Sequence, residues 1–317
     1  MTKKRDRPSD ITLIRVGRIG KEGILVMRVS DIMKDRMSFS FEVFPPKPEM
    51  SMEPLLETME HLYDFEPDFI SCTYGAGGTN VGRNVEVCKA IQDSGKSTAV
   101  THFTCIGNTK EGVKEQLQNY LDMGVDHILA LRGDLPAGWE GTRGDFNYAS
   151  DLVAYIRKEF GDKFTIAMAG DPEKHIQCPT EDEDIAHLKI KQDAGADFIM
   201  TQLCFDVKEF VVWKEKIRKA GITLPIDIGL MPVLNKDATI RMALSMNGCS
   251  IPKELARVIS TYYNDPEGFA KAGMEFTVSQ IYEYMNAGID GLHIYALNKW
   301  EPVTEIVKMA GIRNIIK

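Results

Sequence analysis

Two carboxylates lie where buried strands are predicted to end, and the first of them is Glu42. It lies within the apolar segment 39–44, where strand alternation places it on the face opposite Phe41 and Val43. If those two side chains pack outward against helices, Glu42 points inward, away from water. We then expect its pKa to rise and the group to serve as a general acid, since no inward basic partner is evident on neighbouring strands. The alternative is a structural Glu paired with an interior Lys or Arg.

The second carboxylate, Asp134, follows the apolar run 128–131 within the sequence Arg132-Gly133-Asp134. A glycine at this point lets the backbone approach a ligand closely, and Arg132 should keep Asp134 ionised. Two carboxylates with divided roles suit acid catalysis beside a cationic intermediate. The alternative is an ordinary turn with a solvated ion pair.

Eight apolar segments that alternate with helical patterns determine where these residues lie. The segments are 39–44, 69–74, 98–104, 127–131, 165–169, 198–201, 225–230 and 291–296. Most of them begin about 30 residues after the previous one, as expected for a strand followed by a crossover helix. The sequence therefore predicts an α/β fold, a (β/α)₈ TIM barrel, whose active site lies at the carboxyl ends of the strands.

Two parts of the chain depart from this repeat. About sixty residues separate the last two strands, which predicts further helices there: an inserted helix near 251–258 and, at 274–284, the helix that precedes the last strand. Residues 1–36 contain ten Lys or Arg against five Asp or Glu, and we interpret them as an N-terminal extension that is mobile or partly helical. Residues 37–317 are then the catalytic domain.

Composition excludes several classes of function. The net charge of -8 argues against a nucleic-acid partner, and no apolar run approaches the roughly 20 residues of a membrane span. The N-terminal apolar run is too short for a signal peptide. Six cysteines without a C-x-x-C pair indicate reduced thiols in a cytoplasmic protein. No His or Cys spacing typical of a metal site is present, so we predict no metal.

Further polar residues could bind a ligand. Asp184, His187 and Lys191 share one face of the helix before strand six. Such a face is ordinarily solvated, although His175 could join it over a phosphate or sugar. His102 is by default a hydrogen-bonded core histidine. The glycine-rich stretch 75–78 matches neither a dinucleotide fingerprint nor a P-loop, but it suits close approach to a flat ligand.

Eight segments together resemble one known family, 5,10-methylenetetrahydrofolate reductase of the bacterial single-domain type. They are Phe41-Glu42-Val43-Phe44-Pro45-Pro46, Thr73-Tyr74-Gly75-Ala76, His102-Phe103-Thr104-Cys105, Leu131-Arg132-Gly133-Asp134, Tyr148-Ala149-Ser150-Asp151-Leu152, Asp193-Ala194-Gly195-Ala196-Asp197, Thr201-Gln202 and Tyr295-Ala296-Leu297-Asn298. The resemblance runs in order from about residue 39 to 312, at every strand end. It implies an FAD-containing barrel that reduces methylenetetrahydrofolate to 5-methyltetrahydrofolate.

The resemblance also implies roles for residues. Glu42 would be the general acid that forms a 5-iminium intermediate, which takes hydride from N5 of reduced FAD, and Asp134 would stabilise that cation. The implied flavin contacts are Thr73, Tyr74, Ala76, His102, Arg132, Gly133, Asp134, Tyr148, Ala149, His175, Asp184, His187 and Lys191. The implied folate contacts are Gln202, Tyr295 and Lys299. By this resemblance, the face of the helix before strand six becomes a phosphate and adenosine site.

The partners follow in part from the same resemblance. Asn235-Lys236 stands where family members often have an aromatic residue that helps hold folate and nicotinamide. The electron donor is therefore left open between NADH, NADPH and a redox partner protein. We expect a homo-oligomer, and no inhibition by adenosylmethionine because the chain ends at Lys317. The competing hypothesis is a pterin-binding methyltransferase barrel without flavin.

Overall fold

The computed structural model describes residues 18–19, 25–74, 81–135 and 138–312, and its centre is a closed barrel of eight parallel strands. The strands are β1 (Ser38–Val43), β2 (Phe69–Cys72), β3 (Thr98–Thr104), β4 (His127–Leu131), β5 (Thr165–Gly170), β6 (Phe198–Thr201), β7 (Ile226–Leu230) and β8 (Gly291–Tyr295). Each strand pairs with the next along the chain, and β8 closes the barrel on β1. The predicted TIM barrel is confirmed, and each strand end lies within two residues of its predicted position.

Helices surround this barrel, and the first of them closes one end. They are α1 (Val29–Asp35), α2 (Glu53–Tyr63), α3 (Val81–Ser94), α4 (Lys110–Asp122), α5 (Ala149–Phe160), α6 (Glu181–Asp193), α7 (Val207–Lys219), α8 (Lys236–Arg241), α9 (Lys253–Thr261), α10 (Pro266–Asn286) and α11 (Trp300–Ala310). The predicted extra helices between β7 and β8 are confirmed as α8, a π-helical segment, α9 and the long α10. In the part of the chain that the structure describes, no helix is long and apolar enough to cross a bilayer.

Alternation along the strands separates two apolar layers. Phe41 and Val43 point outward into the large core between the strands and the helices. An inner layer fills the lower barrel with Phe69, Val100, Leu129, Ala167, Phe198 and Met200. Glu42, on the opposite face of β1 from Phe41, therefore points into the barrel as predicted.

Helix α1 closes the end of the barrel opposite the mouth. Val29 and Met33 are buried against the inner layer, and the Val29 amide donates a hydrogen bond of 3.3 Å to Nε2 of His127, the first residue of β4. Before it, Arg18–Ile19 and Leu25–Val26 pair as two short antiparallel strands. Residues 1–17 and 20–24 of the predicted extension lie outside the described residues. We propose that the extension proper ends before Val29, because α1 is part of the barrel floor.

One acid lies in the barrel interior without a partner. Asp227 of β7 is fully buried, and neither of its carboxylate oxygens has a hydrogen-bond partner among the described residues. Burial raises the pKa of Asp227 well above its usual range, and the nearby charges of Asp68 and Asp290 raise it further. The hydroxyl of Ser40 partly opposes that rise. Burial therefore favours the neutral, protonated form of Asp227.

Replacing Asp227 with Asn should increase the free energy of unfolding at neutral pH, because the amide has similar shape and no charged form. The folded-state pKa of Asp227 lies above its unfolded value of about 3.9, so the wild-type fold loses stability as the pH rises from about 4 toward that folded-state pKa. The loss should amount to about 1.4 kcal/mol per pH unit in that window. Urea unfolding of both proteins from pH 4 to 8 measures it, and parallel stability curves would contradict the assignment.

Candidate active site

The Glu42 side chain lies inside the barrel near the mouth, the end at which the strands finish. It stands in register with Ser71 on β2 and Tyr295 on β8, and 22% of its side chain is exposed. The carboxyl group is thus enclosed by the barrel wall but can be reached from the mouth. This position allows it to meet a ligand without being surrounded by bulk water.

Two imidazoles face the carboxylate. Nε2 of His102, on β3, lies 3.4 Å from Oε2 of Glu42, and Nε2 of His293, on β8, lies 3.7 Å from the same oxygen. The Ser71 hydroxyl lies between the two rings, 3.3 Å from Nε2 of His102 and 3.2 Å from Nε2 of His293. On the other side of its ring, Nδ1 of His293 lies 2.7 Å from the Ser40 hydroxyl. The site therefore has a carboxylate at the mouth and a polar chain beneath it.

The expected rise in the pKa of Glu42 is wrong for this arrangement. Burial does raise the pKa, but the contact with His293 and the attraction between the carboxylate and both imidazoles outweigh it, so the pKa of Glu42 lies below its usual value. The basic partners that the sequence did not reveal are these two imidazoles. Burial lowers the pKa of His102, and Glu42 only partly opposes that change. As arranged, Glu42 is ionised at neutral pH and His102 is neutral.

His293 is a residue of this candidate site that the sequence analysis did not single out. It is 1% exposed and occupies the central position of β8, within the otherwise apolar segment Gly291–Tyr295. Strand alternation could have found it, because Tyr295 was placed at the mouth and a residue two positions earlier shares its face. A polar residue on an inward face, two positions below a predicted site residue, was the available signal.

Tyr295 crosses the mouth from β8 to β6. Its hydroxyl donates a hydrogen bond of 3.1 Å to the carbonyl oxygen of Thr201, and burial raises its pKa well above the usual range. The ring fits there because residue 229 is glycine: a Cβ on Gly229 would lie 2.2 Å from the Tyr295 hydroxyl and 2.4 Å from the Thr201 oxygen. The predicted folate contact Tyr295 thus lies beside Glu42, its partner in register on β1.

Arg132, Gly133 and Asp134 leave the barrel at the end of β4. Arg132 donates a hydrogen bond of 2.7 Å from Nη2 to the Gln177 side chain, a loop residue that the sequence did not single out. Gly133 has φ of +91°, and a Cβ there would lie 2.7 Å from Ile106, so the backbone conformation and the packing at this position both favour glycine. The Asp134 side chain is exposed.

The predicted set on α6 surrounds the loop after β5. Asp184 accepts a hydrogen bond of 3.4 Å from the His175 amide, which brings these two residues together. Lys191 donates a hydrogen bond of 2.6 Å from Nζ to the Ala169 carbonyl at the end of β5. Burial lowers the pKa of Lys191, while Asp171 and Asp184 raise it in part. Lys191 therefore points back toward the barrel mouth.

A pair of rings lies beside this loop. Tyr148, which precedes α5, faces His187 of α6 with ring centroids 6.3 Å apart and planes at 29°. Both side chains are exposed, so the pair offers a flat, accessible surface. Ala149 is the first residue of α5 and lies next to that surface.

The loop after β2 is placed by a buried asparagine. Asn84 of α3 donates hydrogen bonds of 3.0 Å to the carbonyls of Cys72 and Thr73. Tyr74 is buried against the outer helices, where its hydroxyl donates to Gln116 of α4 at 2.9 Å, and burial raises its pKa to about 12. Its side chain therefore points away from the mouth, so it could contact a ligand there through its backbone. Ala76 and the glycines around it lie outside the described residues.

The remaining predicted folate contacts are exposed around the mouth. Gln202 follows β6 and accepts a hydrogen bond of 2.8 Å from the Leu203 amide with its side-chain oxygen. Lys299 is exposed immediately before α11. Across the described segments, no group of three or more acidic, His or Cys side chains is arranged to hold a metal ion.

Comparison with known proteins gives a consistent family. A family model described as methylenetetrahydrofolate reductase matches residues 28–311. 5,10-methylenetetrahydrofolate reductase of Pectobacterium carotovorum is 34% identical over 281 residues, which cover 89% of this chain and 92% of that protein. Methylenetetrahydrofolate reductase (NADH) 1 of Arabidopsis thaliana is 35% identical over 303 residues, 90% of this chain and 51% of that protein. The chain thus spans about half the length of the fungal and plant relatives that it matches.

A solved structure supports the fold. An uncharacterized protein from Clostridium thermocellum that binds two copies of 5-methyl-5,6,7,8-tetrahydrofolic acid superimposes with a TM-score of 0.62, covering 90% of this chain and 98% of that chain. The two sequences are 15% identical, so this likeness shows the barrel architecture alone.

Replacing Gly229 with Ala should lower the free energy of unfolding by about 1–3 kcal/mol, because the added methyl group overlaps Tyr295 and a backbone oxygen that cannot easily move. Gly112→Ala is the matched control: Gly112 lies in α4, where a Cβ would be 3.4 Å from Thr109, an ordinary contact. Urea unfolding compares the three proteins. Equal stability of the Gly229→Ala variant and wild type would contradict this account of the mouth.

Proposed function

The chain belongs to the methylenetetrahydrofolate reductase family, and from that premise we propose that it reduces 5,10-methylenetetrahydrofolate to 5-methyltetrahydrofolate with FAD as cofactor. The observation that best supports this is the inward carboxylate of Glu42, held at the barrel mouth beside His102 and His293. The substrate is a cyclic aminal, which accepts hydride only after a ring nitrogen is protonated and the ring opens. The reaction therefore needs an acid at a fixed position.

Glu42 is the residue proposed to give that proton. Its O–H bond breaks as a new N–H bond forms on N10 of the folate. The bond between N10 and the bridging methylene carbon then breaks, its electron pair stays on N10, and the 5-iminium cation results. The lowered pKa keeps Glu42 ionised as arranged, but part of the side chain is still open to the mouth. A ring system lying over that opening would exclude water from the carboxyl group and raise its pKa. Substrate binding would thus populate the acid form that the reaction uses.

Asp134 would act through its charge. It follows Arg132 and Gly133 at the end of β4, on an exposed part of the mouth. A fixed carboxylate there would stabilise the iminium cation as it forms and would influence the electronics of a bound flavin. Its exposure at the mouth differs from the enclosed position of Glu42, so the two acids have separate roles.

The described residues fit a flat, anionic dinucleotide. Lys191 and Arg132 supply cations, the Tyr148–His187 pair supplies a flat surface, and the His175 loop is held on Asp184. We propose that FAD is held by Thr73, Tyr74, Ala76, His102, Arg132, Gly133, Asp134, Tyr148, Ala149, His175, Asp184, His187 and Lys191. Bound FAD would supply the hydride, from N5 of its reduced form. A pterin methyltransferase would have no use for the cationic and aromatic groups on α5 and α6.

Folate would lie over the opposite side of the mouth. Gln202, Tyr295 and Lys299 surround that side, and Gln202 could hydrogen-bond the pterin while Lys299 approaches the acidic tail. We propose NADH or NADPH as the electron donor, because the Arabidopsis relative is named as an NADH enzyme, with a redox partner protein as the alternative. The six cysteines are unpaired and buried, which suits a cytoplasmic protein.

Glu42→Gln should keep the bound flavin but reduce folate-dependent reoxidation of that flavin by about 10²- to 10⁴-fold, since the amide cannot give a proton. The purified wild type should be yellow and bleach on anaerobic reduction, and stopped-flow absorbance then follows its reoxidation by methylenetetrahydrofolate. In Asp134→Asn, the rate of this reoxidation should fall by a factor on the order of 10², as expected for the loss of one electrostatic stabiliser. A colourless wild type, or undiminished reoxidation in Glu42→Gln, would refute the proposed function.

Lys191→Met should weaken FAD binding by about tenfold or more, because it removes a charged hydrogen-bond donor from the proposed cofactor side. Lys189→Met on the same helix is the matched control, since Lys189 pairs with Asp193 on the surface of α6. Fluorescence titration of the flavin-free proteins with FAD gives both affinities. Equal affinities for the two variants would remove Lys191 from the cofactor site.

A further inference from the structure

A line of polar side chains connects Glu42 with the centre of the barrel. His293 lies 3.7 Å from Glu42 through Nε2 and 2.7 Å from the Ser40 hydroxyl through Nδ1. Ser40 and His293 are both 1% exposed or less. The line therefore runs through the protein interior, away from the mouth.

We propose that His293 is a positioning residue that makes Glu42 a stronger acid, and that Ser40 holds its ring in the tautomer this requires. The inference rests on the proposed function, because it concerns the acid of that reaction. It adds a residue that the resemblance did not imply, and it links the reaction to the interior of the barrel.

The ring of His293 is fixed in orientation. It stacks on Phe69 with centroids 5.4 Å apart and planes at 17°, and Tyr295 meets it edge-on at 5.8 Å and 79°. Both ring nitrogens already face protein groups, Ser40 on one side and Ser71 with Glu42 on the other. A ring held in this way cannot turn aside when the charge on Glu42 changes.

Ser40 determines which ring nitrogen carries the proton. Its hydroxyl lies 2.7 Å from Nδ1 of His293. When this hydroxyl donates to Nδ1, the ring proton is on Nε2, the nitrogen that faces Ser71 and Glu42.

The titratable groups around His293 come from four strands. Glu42 faces it from β1, His102 from β3, Asp227 from β7 and Tyr295 from its own strand β8. Burial favours the neutral forms of His102, Asp227 and Tyr295. Glu42 is therefore the charged acid that an Nε2–H of His293 meets. Donating to this carboxylate stabilises the state that Glu42 reaches after it has given up its proton.

The test follows the titration of Glu42 directly, without turnover. Protein labelled with ¹³C at glutamate carboxyl carbons is titrated by NMR, and the Glu42 signal is assigned by its absence from Glu42→Gln. His293→Gln should raise the midpoint of this signal by about one pH unit, because an imidazole contact that favours the carboxylate is lost. An unmoved midpoint in His293→Gln would overturn the proposal.

The matched control is His127→Gln, which removes another buried barrel histidine. His127 lies on β4, where its ring contacts Asp126 and the Val29 amide at the closed end of the barrel. This variant should leave the Glu42 midpoint unchanged, even if it lowers the free energy of unfolding. A shift of the same size in the control would mean that loosening of the barrel moves the midpoint, and would overturn the specific role of His293.

Ser40→Ala provides a second route if His293→Gln does not fold. It removes the group at Nδ1 and keeps the imidazole, so the Glu42 midpoint should rise by a smaller amount. An unchanged midpoint in Ser40→Ala would overturn the role given to the interior chain.

Turnover separates this inference from the proposed function. In His293→Gln, the pH at which folate-dependent flavin reoxidation begins to fall should move upward with the Glu42 midpoint, while FAD affinity stays unchanged. A midpoint shift in a protein that does not reduce methylenetetrahydrofolate would support the coupling and refute the function. If the protein reduces methylenetetrahydrofolate but His293→Gln leaves the Glu42 midpoint unchanged, the proposed function is supported and the role of His293 is refuted.

Discussion

A carboxylate enclosed by a protein barrel needs partners, because an isolated buried charge is costly to remove from water. Glu42 obtains its partners from two imidazoles on other strands, His102 on β3 and His293 on β8. Those contacts lower its pKa, although burial alone would raise it. The same carboxylate is open to the mouth on one side. The proposed chemistry depends on that balance, since a group that is stable as an anion can be converted to an acid when a ligand removes the remaining water.

The barrel closure maintains this contact. β8 pairs with β1 so that Tyr295 stands beside Glu42 and His293 beside Ser40. Beyond the Tyr295–Glu42 pair, the Asn298 side chain continues the connection between the two strands. It donates a hydrogen bond of 2.8 Å to the Phe44 carbonyl and accepts one of 3.1 Å from the Phe44 amide. Leu297 and Asn298 hold φ values of +53° and +52° to make that turn, a strained conformation for residues other than glycine. The strain lies next to the proposed acid, where strand ends must be held in register.

The sequence was informative where a signal is local. All eight strands were predicted because each is an apolar run that ends at polar or glycine residues, and the inward direction of Glu42 follows from alternation within six residues. The pKa of Glu42 was predicted wrongly because its partners come from β3 and β8, and pairing across a closed barrel cannot be read from one segment. His293 was missed because its neighbours along the chain are apolar. Val29 and Met33, four residues apart within a basic segment, turned out to form the barrel floor.

The central claim is that Glu42 meets the folate nitrogen that must be protonated. A crystal structure of the protein with FAD and a bound folate tests this most directly. The account predicts a Glu42 carboxyl oxygen within hydrogen-bond distance of that nitrogen, about 2.6–3.2 Å, with the pterin against Gln202. A folate bound away from the β1–β8 side of the mouth, or a Glu42 side chain turned toward the outer helices, would contradict it.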